Sequence, residues 1–262
     1  MSAFSFKESV MPARYPFNLE KFARRPGTVL IIAPHPDDDV IGAGGTMAML
    51  AAKGMNVFSL YVTDGRCYPR GPADKEVIHT RQHEAVDALR VVRARAGIFL
   101  GFQSTLLLRG RTSAAGDAIA DVITYLLPES IYLPSPLDTH PTHRAVTELT
   151  IRALRGIKEY SPGLRGYSVW GGVYGIEGLN PVDISSVIKI KRTAIRKHRS
   201  QIETKAYDEG ILGRNRYEAV FLETHGPERF THVELFLEMR ELILNKRLRV
   251  DAFTKRLLKR IK

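Results

Sequence analysis

Short apolar segments alternate with longer segments of helical periodicity along most of the chain. The apolar segments predict buried strands at residues 28–34, 56–63, 98–100 and 130–134. The intervening periodicity predicts helices at residues 45–53, 74–92, 114–127 and 141–157. Such alternation is typical of parallel strands joined by helical crossovers. The pattern therefore predicts an α/β fold, Rossmann-like, with a mostly parallel sheet and helices on both faces.

The length and composition favour one globular unit. The chain has 262 residues, and a domain usually holds about 100–200. We find no repeat, low-complexity tract or linker, so we predict a single domain over residues 1–262. No stretch approaches the ~18 apolar residues that span a membrane, and the first residues lack a secretory signal pattern. Cys67, the only cysteine, excludes an intramolecular disulfide and a multi-thiolate metal site. We therefore expect a cytoplasmic protein.

The positive charge is concentrated at the end of the chain. The net charge is +11, of which residues 245–262 carry +7, leaving +4 for the rest. We therefore expect no nucleic-acid partner for the body of the protein. Val250, Phe253, Leu257 and Ile261 recur at helical spacing, which predicts a basic amphipathic helix at about 245–262. This helix either packs on the domain with its charges solvated or makes peripheral contact with an anionic membrane.

A histidine and three consecutive acids directly follow the first predicted strand. Residues 34–39 read Pro-His-Pro-Asp-Asp-Asp and supply His35, Asp37, Asp38 and Asp39. Adjacent carboxylates repel one another, so this clustering favours a bound cation. Imidazole together with carboxylate suits Zn²⁺ or Fe²⁺, whereas Mg²⁺ and Ca²⁺ prefer oxygen alone. The other interpretation is a helix N-terminus, where the helix dipole favours acids.

A second histidine motif follows the strand predicted at 130–134. It reads Asp-Thr-His-Pro-Thr-His and supplies Asp138, His140 and His143. A single pair of this kind is usually a surface or capping feature. Ligand sites of parallel α/β sheets, however, lie beyond the carboxyl ends of the strands, where both motifs fall. His35, one aspartate and His143 would give three ligands and one open position, the pattern of a catalytic zinc site.

These motifs resemble those of the LmbE-like (PIG-L) de-N-acetylases. The resemblance rests on the first motif with its later Gly-Gly-Thr and on the His-Pro-x-His of the second motif. It extends through Thr-Asp-Gly at 63–65, Arg81-x-x-Glu84, Leu-Gly-Phe at 100–102 and Lys191 with His-Arg-Ser-Gln at 198–201. Members of this family act on N-acetylglucosaminyl groups of inositol lipids, mycothiol precursors, chitobiose and antibiotic intermediates.

The resemblance implies a role for each residue that matches a family motif. His35, Asp38 and His143 would hold Zn²⁺, with another divalent transition metal such as Fe²⁺ as the alternative. Asp37 would be the general base that activates water, a role that suits a carboxylate outside the metal ligands. His140 would hydrogen-bond the oxyanion of the tetrahedral intermediate or protonate the leaving amine.

Two departures from the family pattern carry further expectations. Asp39 stands where relatives usually have Glu, and we expect it to orient His35 or a loop rather than to bind metal. Thr142 stands where many relatives have Asp, so an acid that contacts His140 must come from elsewhere. Asp138 is the candidate for that contact.

The implied activity is removal of the N-acetyl group from an N-acetylglucosamine-type sugar, either a small molecule or lipid-linked. Arg81 would help to hold this polar substrate. Gln103 and Ser104 replace the Pro-Asp of many relatives, so the substrate contact there is expected to differ. The alternatives are an inactive deacetylase-like binding protein and a metal hydrolase of another amide. The sequence allows either a monomer or a homo-oligomer.

Two other patterns suggest different ligands. Gly42, Gly44 and Gly45 imitate a dinucleotide-binding loop, but Met47 occupies the place of the third glycine. We interpret these glycines as positions where a helix packs closely on the sheet. His79 and His83 lie one helical turn apart and could bind a metal, although solvent-facing histidines are the favoured interpretation.

Overall fold

The computed structural model describes residues 25–66, 74–171, 178–221 and 230–259. These residues contain the strands β1 (Thr28–Ala33), β2 (Asn56–Thr63), β3 (Ala96–Phe102), β4 (Ser130–Pro134), β5 (Gly163–Tyr167), β6 (Leu179–Asp183) and β7 (Val233–Glu238). They form a seven-stranded sheet in the order β3-β2-β1-β4-β5-β7-β6.

The first five strands of the sheet are parallel, and β7 runs antiparallel to both β5 and β6. Val29 of β1 pairs with Val57 on one side and with Ser130 on the other. The chain thus moves outward from β1 to β3 and then returns to β4 on the opposite side of β1. Such a reversal opens a crevice between the carboxyl ends of β1 and β4, where ligands bind in this class of sheet.

Helices cover both faces of the sheet. They are α1 (Asp38–Ala52), α2 (Asp74–Val91), α3 (Ser104–Leu108), α4 (Ser113–Leu126), α5 (Pro141–Gly156), α6 (Ile188–Ile195), α7 (Arg199–Ile202), α8 (Tyr207–Phe221), α9 (Glu241–Leu244) and α10 (Val250–Leu258). Leu30 and Ile32 of β1 pack in one apolar core with α3, α4, α5, α9 and α10. Val29 and Ile31 pack in a second core with α1, α2, α6 and α8. This arrangement confirms the predicted fold class.

The strands and helices predicted between residues 28 and 157 agree with the structure to within two residues at each end, with one exception. The helix expected at 45–53 is wrong at its start, because α1 begins at Asp38. Asp38 and Asp39 occupy the first turn of α1, where the helix dipole favours negative charge. The acidic run therefore belongs to a helix N-terminus as well as to the candidate metal site.

Two glycines allow α1 to lie close to its neighbours. A Cβ atom on Gly42 would stand 2.2 Å from the ring of Tyr167, and one on Gly45 would stand 2.6 Å from Ile184. Tyr167 is fully buried and donates its hydroxyl to the carbonyl of Ile32 at 2.8 Å, so its ring cannot easily move. The glycines lie inside α1 and support the packing interpretation.

The basic C-terminal helix is shorter than expected. It was predicted at about 245–262, whereas α10 spans Val250–Leu258 and residues 260–262 lie outside the described part of the chain. Phe253 and Leu257 are buried in the core, and Val250 packs against it. The apolar face of α10 therefore packs on the domain. None of the described helices is long and apolar enough to cross a membrane. The single domain over 1–262 stays a prediction.

Candidate active site

Three donor atoms converge in the crevice between β1 and β4. His35 follows β1, Asp38 begins α1, and His143 lies in the first turn of α5. Asp38 Oδ2 is 2.9 Å from His35 Nδ1 and 3.2 Å from His143 Nε2. The two ring nitrogens are 3.3 Å apart. Residues 108 positions apart in sequence thus meet at one point.

The separations of these donors fit a transition metal. A tetrahedral metal with bonds of about 2.1 Å keeps its ligand atoms roughly 3.4 Å apart. The observed separations of 2.9–3.3 Å approach that value. Two imidazole nitrogens and one carboxylate oxygen are also a donor set that Zn²⁺ accepts. The residues present therefore fit the implied metal.

His140 stands beside this group. Its ring centre is 4.5 Å from that of His143 and 5.2 Å from that of His35. One nitrogen from each of these three histidines lies within 4.8 Å of the others, so the three histidines are a second candidate ligand set. The distances to Asp38 are shorter, which favours the set that contains the aspartate and leaves His140 facing the cleft.

The charged side chains of this group shift one another's pKa values. Burial raises the pKa of Asp38, but the neighbouring His143 and His35 outweigh it and hold this pKa well below its usual value. Burial lowers the pKa of His143, whereas the carboxylates of Asp38 and Asp138 raise it to about 10. The two carboxylates thus attract a positive charge to this point, which a metal cation would also satisfy.

Asp138 contacts His143 rather than the ring of His140. Its Oδ1 lies 3.2 Å from His143 Nδ1 and accepts a hydrogen bond from the backbone N–H of His140 at 2.9 Å. Its Oδ2 accepts from the backbone N–H groups of Val169 and Trp170, both at 3.0 Å. The expected contact between Asp138 and His140 is thus made through the His140 backbone, while the side-chain contact of the carboxylate is with His143. A carboxylate in this position orients the imidazole.

Asp39 has different partners from those expected. It is fully buried, and its Oδ2 accepts hydrogen bonds from Ser59 Oγ at 2.7 Å and from Tyr61 OH at 2.6 Å. Successive helix residues point about 100° apart, so Asp39 faces β2 while Asp38 faces His143. Asp39 was expected to orient His35 or a loop rather than to bind metal, and its hydrogen bonds come instead from two side chains of β2. Burial raises the pKa of Asp39 to about 6, although both hydroxyls act to lower it.

Arg81 pairs with Asp37 at the edge of the cleft. Arg81 Nη2 is 3.0 Å from Asp37 Oδ2, and Nη1 donates to the carbonyl of Gly65 at 2.5 Å. Both members of the ion pair are buried, and both line the cleft. The structure thus shows Arg81 fixing the position of the proposed base, a role that the sequence did not indicate. Substrate binding by Arg81 stays a prediction.

The Arg81-x-x-Glu84 motif of α2 contacts the His-Arg-Ser-Gln motif at residues 198–201. Glu84 accepts hydrogen bonds from the backbone N–H of Ser200 at 2.8 Å and from Ser200 Oγ at 2.7 Å. This contact anchors α7 to α2, and the next residue, Gln201, lines the cleft. The pairing explains why Arg81-x-x-Glu84 and the late His-Arg-Ser-Gln motif occur together.

The cleft above these residues has a volume of about 640 Å³. We call its base, formed by His35, Asp37, Asp38, His140 and His143, the floor. One side, which we call the aromatic wall, consists of Trp170, Lys205 and Tyr207. Lys205 Nζ lies 4.7 Å from the centre of the Trp170 ring, and the rings of Trp170 and Tyr207 meet edge to face at 5.9 Å.

The sequence did not indicate the aromatic wall. Trp170 follows β5, a strand that the apolar pattern did not predict. With β5 recognised, the strand-end rule would have drawn attention to the chain's only tryptophan. Ser104 also lines the cleft, with its Oγ 3.5 Å from His35 Nε2. A hydroxyl therefore stands where many relatives are expected to place a carboxylate.

Comparison with known proteins agrees with this fold and site. The PIG-L family model, described as GlcNAc-PI de-N-acetylase, matches residues 30–154. The chain is 31% identical over 189 residues to probable N-acetyl-alpha-D-glucosaminyl L-malate deacetylase 2 of Bacillus cereus, covering 69% of this chain and 86% of the relative. It is 32% identical over 197 residues to diacetylchitobiose deacetylase of Thermococcus kodakarensis, covering 69% of this chain and 72% of the relative.

The fold is shared with solved structures as well. N,N'-diacetylchitobiose deacetylase from Pyrococcus horikoshii superposes with a TM-score of 0.66 at 22% identity, covering 84% of this chain and 86% of that chain. The fold and site thus define an α/β protein with a histidine and aspartate cluster that fits a metal. The chain belongs to the PIG-L (LmbE-like) family, whose relatives named above are deacetylases of N-acetylglucosamine type.

Proposed function

We propose that this protein is a zinc-dependent hydrolase that removes the N-acetyl group from an N-acetylglucosamine-type sugar or glycoconjugate. The observation that carries the proposal is the convergence of His35, Asp38 and His143 beside a cleft that also holds the Asp37–Arg81 pair. The deacetylase activities for which the two relatives are named support the same class of substrate.

The proposed metal ligands are His35, Asp38 and His143, with Zn²⁺ as the expected ion and Fe²⁺ as the alternative. When bound, such an ion polarises the acetyl carbonyl and makes water a stronger nucleophile at neutral pH. Asp138 contributes by holding the ring of His143, which lies 3.2 Å from its Oδ1, in the orientation that points Nε2 toward Asp38.

Asp37 is the proposed general base. It immediately precedes Asp38 in sequence, but it lines the cleft without belonging to the proposed metal ligands. Its Oδ2 lies 3.0 Å from Arg81 Nη2. A base must keep one oxygen directed at the attacking water, and a buried guanidinium fixes that direction. In this proposal Asp37 accepts a proton from the water that attacks the acetyl carbon and passes it to the amine nitrogen as the C–N bond breaks.

His140 is proposed to donate a hydrogen bond to the oxygen of the acetyl group as negative charge develops on it. Burial, together with His143 and His35, lowers the pKa of His140 to about 4. Its imidazole is therefore neutral at neutral pH and retains one N–H donor. Two roles were expected for His140: hydrogen bonding to the oxyanion and protonation of the leaving amine. A neutral ring favours the first role.

The aromatic wall is the proposed sugar-binding surface. A cleft of about 640 Å³ lies in the range of roughly 300–1,000 Å³ that small-molecule sites occupy. Trp170 offers the apolar face of a large ring, and Lys205 offers donors to oxygens of the sugar or of its aglycone. The ring of Trp170 lies 6.5 Å from that of His140, so the aromatic wall adjoins the floor, and Lys205 is exposed at its edge.

An amine-release assay tests this proposal. Zinc-loaded protein is incubated with a panel of N-acetylated amino sugars and with simple non-sugar acetamides, and the free amine is measured. We expect release from at least one N-acetylglucosamine derivative and none from the Asp37→Asn control. Release from non-sugar amides alone would favour the alternative amide hydrolase, and no release by metal-loaded protein would favour an inactive binding protein.

We also expect the protein in the cytoplasm, with membrane contact limited to basic side chains of α10. The apolar face of this helix is already buried, so electrostatic attraction to anionic lipids would have to act alone. Sedimentation with anionic and neutral vesicles at low and high salt tests this contact. Salt-insensitive binding, or binding to neutral vesicles, would contradict it.

A further inference from the structure

A second pair of histidines lies outside the cleft, on the exposed face of α2. His79 Nε2 and His83 Nε2 are 2.9 Å apart, and their ring centres are 4.1 Å apart. Both side chains are exposed. Residues four apart lie on the same face of a helix, so the backbone of α2 itself holds the two nitrogens together.

This pair points away from the candidate active site. Arg81 lies midway between the two histidines in sequence, is buried, and contacts Asp37 at the edge of the cleft. Residues two apart on a helix point about 200° apart, so the histidines face solvent on the opposite side of α2. A ligand bound by the pair would therefore not share the cleft.

The separation of the two nitrogens indicates which metals would suit them. With metal–nitrogen bonds of about 2.1 Å, nitrogens held 2.9 Å apart subtend roughly 90° at the metal. That is the angle between adjacent ligands in octahedral and square-planar coordination, which Ni²⁺ and Cu²⁺ adopt. The affinity of nitrogen ligands for divalent first-row metals rises through Ni²⁺ to a maximum at Cu²⁺, so the pair favours Cu²⁺ and Ni²⁺.

The acidic side chains near the pair favour a bound cation. Glu76 lies one turn before His79 on the same face and is exposed. On the other side, Asp87 lies one turn beyond His83, but it is paired with Arg90 at 2.6 Å. Glu76 is therefore the better-placed acid to offset the charge of a cation.

We propose that His79 and His83 form a surface site for Cu²⁺ or Ni²⁺, separate from the metal site of the cleft. The helix presents the two nitrogens already paired, so binding orders few additional groups. Two positions are filled by imidazole, and the others are filled by water. The site does not depend on the proposed deacetylase activity.

Calorimetric titration with Ni²⁺ tests this site. The protein is first loaded with zinc, so that the cleft is occupied, and then titrated with Ni²⁺ in a buffer that does not chelate metal. We expect a single saturable site in the wild type, weakened at least about tenfold by His83→Ala because one imidazole cannot chelate. Repeating the titration with Zn²⁺ in place of Ni²⁺ should give weaker binding.

A matched control and a second readout make the result specific. His232→Ala removes a histidine from the loop before β7 and should leave the Ni²⁺ affinity unchanged. Ni²⁺ should also protect His79 and His83 from modification by diethylpyrocarbonate, mapped by mass spectrometry. Equal affinity in the wild type and His83→Ala, or protection of other histidines only, would overturn the proposal.

Discussion

The floor and the aromatic wall of the cleft are built from the chain in different ways. The floor comes from two short segments that directly follow β1 and β4, so each motif is compact in sequence. The aromatic wall combines Trp170, which follows β5, with Lys205 and Tyr207 at the start of α8. The comparison shows that the groups proposed for chemistry belong to compact motifs that can be recognised in the sequence, whereas those proposed for recognition are single residues that no motif marks.

The two regions also differ in how firmly they are held. In the floor, Asp38 and His143 are almost completely buried and linked by contacts of 3.2 Å or less to neighbouring side chains. In the aromatic wall, Trp170 and Tyr207 are half-buried and Lys205 is exposed. Changes in the floor should therefore act on metal binding or kcat, and changes in the wall should act on KM. Four substitutions test this division.

The largest effect is expected from Asp37→Asn in the floor. The amide keeps the shape of the side chain but cannot accept a proton, so kcat should fall by about 10²-fold or more. Metal should remain bound, because Asp37 is not among the proposed ligands. Steady-state kinetics and metal analysis of the same preparation check both statements. Loss of metal equal to that of Asp38→Ala would remove the distinction between the two aspartates.

His140→Ala should have the next largest effect. If His140 hydrogen-bonds the developing oxyanion, its removal should lower kcat by about 10²–10³-fold with little change in KM, because that bond is strongest in the transition state. The measurement is the separation of kcat from KM on the best substrate of the panel. A raised KM at unchanged kcat would instead show that His140 acts in substrate binding, the role proposed for the aromatic wall.

Trp170→Ala tests the aromatic wall and should change KM rather than kcat. Loss of the ring should raise KM about tenfold, since an aromatic contact contributes on the order of 1 kcal/mol beyond its buried area. Trp170→Phe retains a ring and serves as the matched control, with a smaller change expected. A fall in kcat as large as that of His140→Ala would contradict the division between floor and wall.

The smallest effect is expected from Lys205→Met. This change removes the charge but keeps the length of the side chain, and exposed charges at the rim of a site contribute little. KM should rise less than about fivefold, and the difference should shrink as salt is added. An unchanged KM at low salt would show that Lys205 does not contact the substrate.

Part of the fold follows directly from the sequence. β1, β2 and β4 are continuous apolar runs because they are central strands covered on both faces, and their predicted ends match within one residue. β5, β6 and β7 were not predicted. β5 contains two glycines and an arginine, and β6 is an edge strand that carries Pro181, so neither shows the pattern of a buried strand.

The candidate site, like the fold, was predicted only in part from the sequence. The two motifs indicated that His35, one aspartate and His143 would meet, and the family resemblance implied Asp38 as that aspartate. The structure brings these three side chains together. The partners of Asp39 and Asp138 could not be predicted, because they depend on the direction in which each carboxylate leaves its helix or loop. The Asp39 carboxylate accepts hydrogen bonds from Ser59 and Tyr61 of β2, and the Asp138 carboxylate turns toward His143.

The central claim is that His35, Asp38 and His143 hold the metal while His140 does not. The most direct test is the zinc content of the purified wild type and of Asp38→Ala, His143→Ala and His140→Ala, measured by mass spectrometry after dialysis to remove weakly bound ions. We predict close to one zinc per chain in the wild type and in His140→Ala, and little in the other two variants. Zinc retained by Asp38→Ala and lost from His140→Ala would contradict the account and assign the metal to the three histidines.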